Sequence, residues 1–279
     1  MGKTLAIAVI HGIGSQGDKR PADSATASFS LGLRKRVGRE IGPEDFEAKI
    51  AWREIFWSDI TQKNQNDFLG RISRVTRYDS VREFVVHNLS DAAGYQKTED
   101  PKDKTYQRIH ERVRETLAEL EADVEPGSPL IVFAHSMGGH VMSNHIWDVT
   151  REAMKHHSPF QRMRTLAAFI TFGCNIPLFL FAYDNSDIRP IRYPGFDIPV
   201  DRREKAWWRN FYDPDDVLGF PLKYVSDAYR KLSDDRELRD EQVNAGNIFT
   251  SWNPASHNGY WTDDDFYRPA AALVKRWMG

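Results

Sequence analysis

Short apolar runs alternate along the chain with longer stretches whose apolar residues recur at helical spacing. Leu5–Ile10, Leu130–Ala134 and Leu166–Phe172 are near-continuous apolar runs bounded by turn residues, the pattern of strands buried on both faces. Phe46–Trp57 carries Ile50, Trp52 and Phe56 in looser alternation and predicts a further strand. Trp207–Tyr212 predicts another, and Glu241–Phe249 the last. Helical stripes lie between them: Phe29, Leu33 and Val37 within Ser24–Arg39, then Tyr106, Ile109, Val113, Leu117 and Leu120, then Val141, His145, Ile146 and Val149. A capping box at Thr262–Asp265 predicts a closing helix with Phe266, Leu273, Val274 and Trp277 on its buried face. Strands and helices taking turns in this way predict an α/β domain with a mostly parallel sheet and helices on both of its faces.

Two segments break the alternation. In 58–104, Phe68, Ile72 and Val75, then Val81, Phe84, Val85 and Leu89, mark two successive helices with no strand between them. This segment is read as a helical cap or lid, with packing of the same helices on the sheet as the alternative. In 176–205, four prolines and the aromatic residues Phe179, Phe181, Tyr183, Tyr193 and Phe196 predict an irregular loop. That loop suits either the wall of an apolar pocket or an arm packed on its own chain.

Composition narrows the class. With 279 residues, 41% of them apolar, the chain reads as one α/β domain over 1–279 rather than two small ones. A net charge of −2 with acids and bases interspersed gives no basic face, so nucleic acid is not expected as a partner. The lone cysteine, Cys174, excludes an internal disulfide. Leu5–Ile10 is too short for a secretory leader, so a reducing, cytoplasmic setting is expected, and no run reaches the length of a membrane span.

The candidate chemistry centres on Pro129–His140, P-L-I-V-F-A-H-S-M-G-G-H, where an apolar strand stops at a serine and a helical pattern begins at once. A serine on such a tight turn has its hydroxyl pushed above the sheet edge, and small residues two before and two after it let strand and helix pass closely. Here those residues are Ala134 and Gly138. With 18 glycines in 279 residues, a serine followed two places on by glycine arises by chance roughly once. It occurs at Ser15, Ser30 and Ser136, and strand and helix flank only the last, which makes Ser136 the candidate nucleophile over a turn serine capping its helix.

Gly12, Gly14 and Gly17 spell G-x-G-x-x-G after the first strand, the spacing of a dinucleotide site. That site needs a helix opening at the glycines, and Asp18-Lys19-Arg20-Pro21 interrupts one. The competing reading is a loop that aims a backbone N–H at an oxyanion. Ile13 is then the first donor with Gly12 in reserve, and Met137 after the serine is the second. His11 is read as structural.

A serine hydroxyl needs a base, and the base needs a carboxylate to orient it. Downstream come Asp213, Asp215 and Asp216 after one strand and His257 after the next. His135, His140 and His145 lack a zinc spacing and H-E-x-x-H is missing, so neither a metal nor a cofactor is expected.

In H-G-I-G, A-H-S-M-G-G, D-P-D-D-V-L-G-F-P-L and S-H-N-G-Y-W, in this order, the chain resembles the α/β-hydrolase superfamily of lipase-like and esterase-like serine hydrolases. The resemblance covers most of the chain outside 58–104 and 176–205. It implies a Ser-His-Asp triad and an acyl-enzyme formed from a small-molecule ester; the aromatic loop 176–205 and the expected lid lean toward an apolar acyl chain. The family's acid often precedes Val or Ile by one intervening residue, with a Pro shortly after. That pattern selects Asp215, ahead of Val217, with Asp216 as runner-up. The chain starts at the strand before the oxyanion loop, so the resemblance implies a reduced sheet of about six strands. A thioester or amide substrate, or a binding or signalling protein that kept the fold, are the alternatives. Oligomeric state is left open.

Overall fold

The computed structural model describes residues 2–12, 20–73, 86, 90–98, 102, 104–151, 157–245 and 256–278. Six strands form one sheet: β1 (Leu5–Ile10), β2 (Ile50–Ile55), β3 (Leu130–His135), β4 (Leu166–Phe172), β5 (Trp208–Tyr212) and β6 (Leu238–Gln242). Their order is β2-β1-β3-β4-β5-β6, and every neighbouring pair is parallel. A parallel pair cannot be closed by a tight turn, so each connection crosses a face of the sheet. Among the described residues, α1 (Leu31–Ile41), α2 (Pro43–Lys49), α3 (Gln62–Ile72), α4 (Thr105–Ala122), α5 (Met137–Arg151) and α6 (Asp227–Asp234) lie in these connections, and α7 (Asp264–Trp277) follows the last strand.

The two-residue period of a strand divides the core in two. On one face Leu5, Ile7 and Val9 of β1 pack with Leu33 and Val37 of α1, Phe46 of α2, and Phe266, Leu273 and Trp277 of α7. On the other, Ala6, Ala8 and Ile10 pack with Ile109, Val113 and Leu117 of α4 and Val141, Met142 and Ile146 of α5. All six residues of β1 are fully buried, which is why the run reads as continuous in the sequence.

Several boundaries differ from the sequence expectation, each for a tertiary reason. The first helix begins at Leu31 rather than Ser24. Residues before it form turns, because the buried carboxylate of Glu54 takes the N–H groups of Ser28 (2.9 Å) and Ser30 (2.7 Å). Phe46 belongs to α2, which Pro43 opens, and the strand starts only at Ile50. The last strand is Leu238–Gln242, earlier than Glu241–Phe249; residues 246–255 lie outside those described. As an edge strand, L-R-D-E-Q carries charges and lacks the apolar pattern that marks the inner strands. Asp263 rather than Thr262 caps α7, accepting the Asp265 N–H at 2.9 Å.

Of the expected cap, α3 is in place, with Phe68 44% exposed and residues 90–94 again helical. Val75, Val81, Phe84, Val85 and Leu89 lie outside the described residues. The irregular segment 176–205 is the crossover from β4 to β5. A 3-10 turn at Ile176–Phe179 stays at the end where β4 leaves the sheet. Asp197 then pairs by backbone and side chain with Arg164, just before the start of β4. Ile176, Ile188, Ile191 and Ile198 of this segment are buried, whereas Phe181, Tyr183 and Phe196 are exposed. No helix among the described residues is long and apolar enough to cross a membrane.

Candidate active site

Strand register assembles the site. Ile10 lies opposite Ala134, His135 opposite Phe172, and Phe172 opposite Phe211. Just past these pairs, Gly12, Ser136, Gly173 and the Asp213 turn follow in a row across the C-terminal ends of β1, β3, β4 and β5. The strand order reverses between β1 and β3, the position where open parallel sheets leave a crevice. Gly12 and Ser136 stand at that position.

Ser136 joins β3 directly to α5 with φ of 52°, in the left-handed region, at a cost of about 1 kcal/mol or more for a residue with a side chain. Its N–H is held by the Phe172 carbonyl at 3.0 Å and its carbonyl by the Gly139 N–H at 3.0 Å. Small neighbours are obligatory here. A methyl group at Gly138 would stand 2.6 Å from the His11 carbonyl oxygen, and one at Gly12 would stand 2.4 Å from Ser136 Cβ. Ser136 is fully buried, and its Oγ has no hydrogen-bond partner among the described residues.

His257 lies in a 3-10 helix, Ser256–Trp261, and is 4% exposed. Its Nδ1 faces a carboxylate and so carries the proton, which it donates to Asp216 Oδ2 at 2.8 Å, with Oδ1 at 3.1 Å. Its Nε2 is buried and has no partner among the described residues. Gly173, with φ of 56°, lets the ring lie close: a Cβ there would be 3.2 Å from His257 Cε1.

The carboxylate brought to His257 is Asp216. Asp215, the expected acid, is exposed. The correction has a local cause: Asp213 Oδ1 accepts the Asp215 N–H at 2.9 Å, a turn that directs residue 215 outward and residue 216 inward. Burial pushes the Asp216 carboxyl up. The hydrogen bond and charge of His257, the Leu218 N–H and the Tyr260 hydroxyl outweigh it, and the group sits below the usual carboxylate range. Leu218 N–H reaches Oδ1 at 3.0 Å and Tyr260 Oη reaches Oδ2 at 3.0 Å.

Of the expected oxyanion donors, Ile13 lies outside the described residues. Gly12 is beside Ser136, so close that a methyl group on its Cα would stand 2.9 Å from Oγ. Met137 opens α5, where a helix leaves its first N–H groups without intrahelical partners. His11 is structural: Nε2 accepts the Trp57 N–H at 3.2 Å, so Nδ1 holds the proton and donates to the Gly12 carbonyl at 2.6 Å. Burial lowers His11 to about 4.

Two residues escaped the sequence reading. His135, inside the elbow motif, faces the His257 carbonyl with Nε2 at 2.7 Å; a carbonyl only accepts, so Nε2 donates and ties the serine turn to the base loop. Burial first, then the nearby His257, holds His135 down at about 3 and keeps it neutral. Tyr260 donates its hydroxyl proton to Asp216. Both sit inside motifs singled out in the sequence, but only tertiary contact reveals their partners.

The one acidic group among the described residues close enough to hold a cation is Asp263, Asp264 and Asp265 at the first turn of α7, where Asp263 serves as the cap. Neither a family model nor a curated protein matches the chain.

Proposed function

We propose that the chain is a serine hydrolase of the α/β-hydrolase type that cleaves a carboxylic ester through Ser136, His257 and Asp216. One observation carries the reading. A strained serine and a histidine bonded through Nδ1 to a carboxylate share a sheet end, and among the described residues neither the buried serine hydroxyl nor the histidine Nε2 has a hydrogen-bond partner. Strain and buried unsatisfied polar atoms both cost stability, and they gather where chemistry is done. A capping serine would use its hydroxyl on its helix, as Ser226 does at α6.

His257 Nε2 takes the Ser136 proton as Oγ attacks the ester carbonyl, and Asp216 stabilises the imidazolium through Nδ1–H. Met137 N–H, at the opening of α5, receives the oxyanion. As the intermediate collapses, the carbonyl–oxygen bond breaks and His257 protonates the leaving alcohol. Water, deprotonated by the same nitrogen, then releases the acid and restores Ser136. No step needs a cofactor. Asp216 therefore takes the role that the motif had assigned to Asp215.

The test is labelling by a fluorophosphonate with mass-spectrometric location of the adduct, alongside turnover of p-nitrophenyl esters. Expected is an adduct on Ser136 in the wild type, with labelling and turnover abolished in Ser136→Ala and His257→Ala. Absence of any adduct on the folded wild type would overturn the reading.

A further inference from the structure

We propose that Tyr260 is a positioning residue of this site, a phenol locked as a donor to Asp216 Oδ2 that fixes the carboxylate against His257 and limits its strength as an acceptor. The inference rests on the Ser136–His257–Asp216 reading. It adds a fourth member, one that acts through its bond to Asp216.

The placement follows from the local helix. Side chains three apart on a 3-10 helix eclipse one another, and His257 and Tyr260 are three apart on Ser256–Trp261. Both therefore project onto a single carboxylate, His257 Nδ1 at 2.8 Å and Tyr260 Oη at 3.0 Å from the same oxygen. Gly259 between them is required, since a Cβ there would fall 1.8 Å from the Ala245 carbonyl oxygen.

The direction of the phenol proton is also fixed. Asp213 N–H donates to Tyr260 Oη at 2.8 Å, and an N–H can only donate. The phenol oxygen accepts on that side, and its own proton goes to Asp216. Tyr260 is fully buried, and burial and the Asp216 charge both push its ionisation up, so the donor is permanent. Donation from Asp213 polarises the phenol and strengthens its bond to Asp216. The same peptide segment thus supplies the acid, Asp216, and the amide that orients the residue holding it. An acceptor shared between two donors binds each less strongly, so the Nδ1–H of His257 is held firmly in place but not drawn fully to the carboxylate.

The decisive readout is the downfield proton resonance of His257 Nδ1–H, identified by its loss in His257→Ala. In Tyr260→Phe it is expected to move further downfield, because Asp216 then has one competing donor fewer. With 3-fluorotyrosine placed at 260, a stronger donor of nearly the same shape, it is expected to move upfield. Fluorophosphonate labelling of Tyr260→Phe is expected to slow roughly tenfold, the scale of one hydrogen bond to a charged group. A resonance that stays put in both proteins, or is missing from the folded wild type, overturns the proposal. Should Tyr260→Phe fail to fold, the fluorotyrosine protein decides by itself. A wild type that shows the resonance and its shifts without labelling would overturn the hydrolase reading and leave the role of Tyr260 standing.

Discussion

A methyl group at position 12 would meet both Ser136 Cβ and, at 2.9 Å, Ser136 Oγ. Neither end can give way, because β1 and β3 are locked in register just below. Gly12→Ala is therefore expected to displace the serine turn, slow fluorophosphonate labelling more than a hundredfold, and cost about 1–3 kcal/mol in urea unfolding. Labelling at the wild-type rate would contradict the placement of Gly12 against Ser136. Ser136 and His257 stand out in the sequence because each combines a reactive residue type with a position just beyond an expected strand, and the structure puts both at the same sheet end. Asp216 stands out less. Three carboxylates within four positions look alike in a sequence, and the turn that buries one and exposes another is built by a side-chain bond from Asp213. Tyr260 was quoted in a motif, yet its role needs the 3-10 geometry that no apolar spacing announces.

At the scale of elements, legibility followed burial. The inner strands β1, β3 and β4 are entirely buried, so their apolar runs give the boundaries to within a residue. The edge strand β6 is charged, held through Arg209 to Glu241 (Nη2–Oε2 2.6 Å) and through Asp240, which takes Asn210 Nδ2 at 2.7 Å and the Leu222 and Lys223 N–H groups at 2.9 and 2.8 Å. Its pairing is polar, and hydrophobic alternation passes it by. The same Asp240 contacts hold Leu222 and Lys223, at the far end of the turn that carries Asp216. Helix boundaries slipped where a distant carboxylate claimed backbone donors, as Glu54 does ahead of α1. The segment 176–205 was legible as irregular. Its path was not, since only the parallel pairing of β4 and β5 requires it to return to the opposite sheet end.

Across the whole molecule, buried histidines make the fold acid-sensitive. Burial lowers His110, His135 and His140 to about 3 and His11 to about 4 from an ordinary 6.5. The unfolded chain takes up these protons first, so stability is complete above about pH 6.5 and is lost as pH falls through this range. Asp91 opposes this: burial raises it to about 6 from 3.8, outweighing its bonds to Thr61 and Gln65, so its contribution declines as pH rises through that window. Four histidines outweigh one aspartate, and the urea midpoint is expected to fall from pH 7 to pH 5 and again to pH 4, more steeply in Asp91→Asn. A midpoint independent of pH would contradict the burial of these rings. The parts of the site come from four strand ends and depend on the whole sheet for their register, so the most direct test asks whether the assembled relay works through the carboxylate that the sheet brings to His257. The rate of Ser136 phosphonylation would be compared in wild type, Asp216→Asn and Asp215→Asn. Expected is a loss of about a thousandfold or more in Asp216→Asn, where His257 loses the acceptor that fixes its tautomer, and a change within about twofold in Asp215→Asn. Equal rates in the wild type and Asp216→Asn, or a collapse in Asp215→Asn alone, would contradict it.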